Sequence, residues 1–148
     1  MAIRKLTHRE EAESLLARHA GQLDPVLSLL ERQYATLQAR AQVLLGLVTI
    51  TLTITGFSGP AIAASTPAAR IAVTSGLAFS LLASLLAILG VLNLRWVTAL
   101  GASNDLELVT HLLVRRGQKT GFYRAALAVL AMGLGLYTSA AVLYLAGR

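Results

Sequence analysis

The sequence predicts an all-α membrane protein with three transmembrane helices and a cytosolic helical layer. Three observations carry that expectation. Of 148 residues 55% are hydrophobic and only 14% are charged, against roughly 25% charged in a soluble domain. Nearly all of the charge falls in two blocks, residues 1–40 and 95–124, with almost charge-free stretches between and after them. Those stretches are long enough to cross about 30 Å of hydrocarbon.

The N-terminal block opens with a short tail, residues 1–6, that lacks the apolar run of a cleavable signal peptide and any lipidation motif. Thr7 and Glu10 form a capping box that starts a first helix. Ala12, Leu15, Leu16 and His19 share one side of it, and Gly21 fits its C-terminal cap. Anionic headgroups would repel Glu10, Glu11 and Glu13, so this helix is expected to fold back on its neighbours rather than lie on lipid.

The organising element follows. From Asp24, a good N-cap, and Pro25, suited to the first helical position, one long helix is expected to start in water and end in lipid at Phe57. Leu27, Leu30, Tyr34, Leu37, Ala41 and Leu44 recur at spacings of three and four. That is a heptad seam, the pattern of a helix packed along its length on other helices. Its partner is either the same helix of a neighbouring subunit or other helices of the same chain. At Arg40 the charges stop, so residues 1–40 form a helical arm and 41–148 the membrane domain.

The first span is expected over about 41–58, ended by Gly56, Gly59 and Pro60. Thr49, Thr51, Thr53 and Thr55 alternate through it. In lipid a threonine hydroxyl bonds its own helix carbonyl one turn back; the alternative is a polar stripe lining a water path. The second span covers about 71–94, with Ala72, Gly76, Ser80 and Ser84 every four residues as a face for close helix contact. Arg95 and Trp96 mark the interface. Within the loop 95–124, Asn104 and Glu107 can cap a further helix that stops at Gly117, its apolar side formed by Leu106, Val109, Leu112 and Leu113. This side is expected to pack on the seam. The third span, about 125–146, is anchored by Phe122, Tyr123 and Tyr144, and Ala131, Gly135 and Ser139 give it a second small-residue face.

Eleven of the thirteen basic residues fall in the N-terminal arm and the 95–124 loop; only Arg70 and Arg148 lie on the other side. The positive-inside rule then puts the N-terminus in and the C-terminus out. It also accounts for the net charge of +6 without nucleic acid. Cysteine is absent, which excludes disulfides and thiolate metal sites. His8, His19 and His111 lack ligand spacing, and helical geometry argues against a triad of Ser103, Asp105 and His111. The spans hold no Asp, Glu, Lys, Arg or His, which argues against ion-coupled transport. No enzyme, cofactor or metal is expected.

Leu29, Leu30, Arg40, Ala41, Leu44 and Leu45, followed later by DLELVTHLL and by Lys119, Phe122, Tyr123 and Arg124, resemble the layout of one family. It is the membrane domain of Pycsar-type (SLATT-like) bacterial anti-phage effectors, and the likeness spans roughly residues 25–146. Two features depart from it: Tyr34 to Leu37 contains no acid, and no cyclic-nucleotide-binding domain is present. The resemblance implies a homo-oligomer in the bacterial inner membrane that impairs the bilayer when triggered. The other functional expectation is a non-catalytic subunit of a larger membrane complex.

Overall fold

The computed structural model describes residues 6–92 and 104–146. These form four helices: α1 (His8–Arg18), α2 (Leu23–Ala63), α3 (Pro67–Ala87), prolonged by a π-helical turn (Ile88–Leu92), and α4 (Asp105–Ala146). The protein is all-α, and three of its helices are long and apolar enough to cross a membrane. Arg95, Trp96 and Ser103 lie outside the described residues.

Helix α1 starts as its sequence dictates. The Thr7 hydroxyl accepts from the Glu10 N–H at 3.3 Å, and the Glu10 carboxylate accepts from the Thr7 N–H at 2.8 Å. Its end differs from the expectation at Gly21. The Gly21 N–H donates to the Leu16 carbonyl at 2.8 Å and the Ala20 N–H to that of Ala17 at 3.3 Å. This is a Schellman closure whose left-handed residue is Ala20, at φ 52°, with Gly21 one position further on at φ 76°.

Helix α2 begins at Leu23 with Gln22 as its cap, two residues before the expected cap Asp24. Pro25 still falls in the first turn, where a missing N–H costs nothing. The helix also passes Gly56, Gly59 and Pro60 and ends at Ala63, not near residue 58. A proline this close to the end removes one hydrogen bond. The Ala64 N–H then closes on the Pro60 carbonyl at 3.1 Å, and Gly59 is held against Val73. The link to α3 is therefore only residues 64–66. Thr66 caps α3, accepting from the Ala69 N–H at 3.1 Å, and Pro67 takes the first helical position.

The largest departure is α4. The expected loop helix and third span are one helix of 42 residues, running through Gly117. Glycine costs roughly 1 kcal/mol relative to alanine in a helix, and here its bareness is used: a Cβ on Gly117 would meet the His8 ring at 3.3 Å. Asn104 caps the helix as expected, accepting from the Glu107 N–H at 2.8 Å.

The helices build two storeys. At the charged end, α1 and the first halves of α2 and α4 enclose Ala12, Val26, Leu30, Val109, Leu112 and Leu113. Arg116 ties this layer together: it donates to both carboxylate oxygens of Glu11 at 3.0 Å and to the Gln33 side chain at 2.8 Å. In the apolar storey α3 packs mainly on α4, and α2 covers both. Leu44, Val48, Ala83, Ala87, Ala126 and Leu130 fill its middle. The outer surface of this storey is apolar, with Val43, Ile50, Phe57, Ile71, Leu89 and Leu145 more than half exposed. A continuous apolar belt of this kind is what a bilayer covers.

Candidate functional site

The candidate site is a set of helix contact faces and one cavity. Within the single chain, the α2 seam is already occupied. Leu30, Leu37, Ala41 and Leu44 are buried against the other helices, and Leu27 and Tyr34 are half-buried. The Tyr34 hydroxyl donates to the Leu112 carbonyl at 2.7 Å. The buried row continues past the predicted heptads as Val48, Thr51, Thr55, Gly59 and Ile62. All four threonines bond the carbonyl one turn back: Thr49 to Leu45, Thr51 to Leu47, Thr53 to Thr49 and Thr55 to Thr51, at 2.8–3.0 Å. Their hydroxyl protons are thus taken within the helix, so the alternating threonines do not act as donors to a water path.

The small-residue faces divide. Gly76 and Ser80 are buried where α3 crosses α4, and Ala72 and Ser84 lie at the edges of that contact. Their counterpart is Gly133, in the buried row Ala126, Leu130, Gly133 and Ala140. A Cβ on Gly133 would lie 2.9 Å from the Gly76 carbonyl oxygen and 3.1 Å from the Ser80 hydroxyl. Ala131, Gly135 and Ser139 stand on the other side of α4, all exposed, and nothing comes within 4 Å of a Cβ on Gly135. A similar outward row runs along α2 through Gly46, Thr49, Thr53 and Gly56. In the sequence the threonine spacing points to hydroxyl chemistry, and only the exposure of Gly46 and Gly56 beside them marks this second row as a small-residue face.

A cavity of about 640 Å³ opens where the two storeys meet, within the 300–1,000 Å³ range of small-molecule sites. Leu30, Tyr34 and Leu37 form one wall, the π turn another, and Leu112, Arg115 and Phe122 a third. The turn places Gly90 directly under the Phe122 ring, where a Cβ would collide with it. Lys119 donates to the Val91 carbonyl at 2.8 Å, capping the end of the α3 span, and stands 5.7 Å above the Tyr34 ring. Burial, and then the neighbouring Arg115 charge, hold the Lys119 ammonium below its ordinary pKa. Burial raises that of the Tyr34 phenol, against the opposing pull of Arg115 and Arg116. Glu31 brings one carboxylate to the aqueous rim.

Among the described residues no three His, Asp or Glu side chains gather. In comparisons with family models, curated proteins and solved structures, the chain matches none.

Proposed function

We propose that the protein is a self-assembling membrane module, a defence-type effector that acts through homo-oligomerisation. It sits in the bacterial inner membrane with its charged storey in the cytoplasm, as the distribution of Lys and Arg favours. The supporting observation is that the chain carries more close-contact helix faces than it uses. Gly76 and Gly133 serve the internal crossing. Ala131, Gly135 and Ser139 on α4, with Gly46 and Gly56 on α2, are exposed, and among the described residues no other helix comes within 4 Å of a Cβ placed on any of the three glycines. In lipid, helix association relies on van der Waals packing of just such small residues. Layout-level likeness to Pycsar-type effectors supplies the proposed consequence, impairment of the bilayer on assembly.

The test is purification of the full chain in mild detergent with light scattering, alongside induced expression with a membrane-potential dye. The proposal expects a defined homo-oligomer and loss of potential, with Gly135→Leu and Gly46→Leu shifting the species towards monomer. A lone, poorly behaved monomer whose expression leaves the potential intact would overturn it in favour of a subunit of a larger complex.

A further inference from the structure

We propose that the cavity between α2, α4 and the π turn binds the headgroup of an anionic phospholipid. This does not depend on self-assembly. Three observations point to that occupant.

The first is charge. Arg115 lines the cavity and makes no hydrogen bond or ion pair among the described residues. Lys119 places a second cation one helical turn away, and the two disfavour each other's charge enough to help lower the Lys119 pKa. A phosphate between them would relieve that repulsion and give the guanidinium a charge-assisted partner. Glu31, the carboxylate at the rim, repels an anion and so confines it to the Arg115–Lys119 end.

The second is depth. Lys119 bonds Val91 at the level of Leu37 and Ala41, where charge disappears from α2. Arg115 lies four residues towards the aqueous side, about 6 Å along the helix, which matches the roughly 5–7 Å of polar headgroup outside the hydrocarbon. A soluble anion has no reason to be met at that depth, whereas basic pockets between spans at this level suit lipid headgroups.

The third is shape. The cavity is walled mostly by apolar side chains, and two of them, Leu89 at 60% and Phe122 at 45%, are exposed towards the bilayer side. They give an acyl chain a dry exit from the polar end into the membrane.

The experiment is native mass spectrometry of the full chain in neutral detergent, titrated with phosphatidylglycerol or phosphatidylcholine, with glycerol 3-phosphate as the free competitor. Phosphatidylglycerol is expected to bind at least about tenfold more tightly than phosphatidylcholine. Arg115→Gln should lose about tenfold, Arg115→Lys should keep most of the affinity, and Glu31→Gln should tighten binding two- to threefold. Arg18→Gln, a basic change away from the cavity, should leave it unchanged. Equal binding of the two lipids overturns the proposal, as does an Arg115→Gln variant that binds like wild type. Displacement by glycerol 3-phosphate at concentrations comparable to the lipid would instead reveal a soluble-anion site and overturn the lipid assignment.

Discussion

Gly76 and Gly133 each stand where the other's carbonyl oxygen leaves no room for a side chain. A Cβ added to either would fall 2.9 Å from that oxygen across the α3–α4 crossing. The two backbones touch, which maximises dispersion contact in a setting where lipid is as apolar as the protein. Alanine at either position should destabilise the helix pair by about 1–3 kcal/mol, since overpacking must push two backbones apart. Gly76→Leu should be worse. Gly135→Ala, with open space around it, should leave the isolated chain's stability unchanged or slightly improved. Denaturant-induced loss of helicity in mixed micelles measures all four. A Gly76→Leu chain that unfolds with the wild type would mean the crossing is misassigned.

The pairing of Gly90 with Phe122 makes a second prediction, of a different kind because the partner is a side chain. The Phe122 ring covers Gly90 so closely that Gly90→Ala must displace it. The cost expected is again about 1–3 kcal/mol, but a ring can be trimmed where a backbone cannot. Phe122→Ala loses its own packing yet should largely remove the penalty of Gly90→Ala. The double-mutant cycle in the same unfolding assay should therefore show a coupling of at least about 1 kcal/mol. Additive effects would show that the ring does not cover the turn.

What the sequence made legible here is what local chemistry decides. The Thr7–Glu10 box, the Asn104 cap and the threonine back-bonds depend on residues within a turn of one another, and the α2 seam on a spacing repeated along one helix. What stayed hidden depends on distant residues. Gly117 and Pro60 carry local stop signals, yet the helices continue through them, and what packs there, His8 beside Gly117 and Val73 beside Gly59, comes from distant parts of the chain. On α4, Gly133 and Gly135 lie two residues apart in the same apolar run, and the small-residue repeat Ala131, Gly135 and Ser139 favours the wrong one. Only Gly76 on another helix decides which one turns inward. The Schellman turn shifted by one residue for the opposite reason: Gly21 was in view, but Ala20 takes the left-handed conformation at a cost of about 1 kcal/mol. The π turn left no periodic signal, and with it the cavity stayed out of sight.

Arg116 joins α1 to the rest of the charged storey, holding Glu11 through both carboxylate oxygens and Gln33 through its other nitrogen. The pair is about three-quarters buried at the side-chain level, with 26% and 28% of the two side chains exposed. It should therefore be worth about 1 kcal/mol, the upper end for a partly solvated ion pair. Because α1 is short and packs on few buried residues, that energy should be spent locally. Arg116→Ala is expected to speed amide exchange across His8–Arg18 by about fivefold while leaving the apolar half of α4 unaffected. Glu11→Gln should reproduce most of this. Uniform acceleration along α4 would mean instead that Arg116 supports its own helix.

Acid should loosen the same helix from its other end. Two bonds with Thr7, that from its backbone N–H above all, hold the Glu10 carboxyl below its ordinary value of 4.5. A carboxylate favoured by the folded state adds stability that is fully present above the unfolded pKa and is lost as pH falls through the lowered, folded one. Amide exchange of α1, corrected for the intrinsic pH dependence, should therefore be constant from neutrality down to about pH 5. Below 4.5 it should rise, first in the opening turn that the capping box closes. Glu10→Gln keeps a weaker acceptor at that position and should flatten the profile, and Thr7→Ala should raise exchange in that turn at every pH. A Glu10→Gln chain with the wild-type pH profile would show that the acid response does not arise from the capping box.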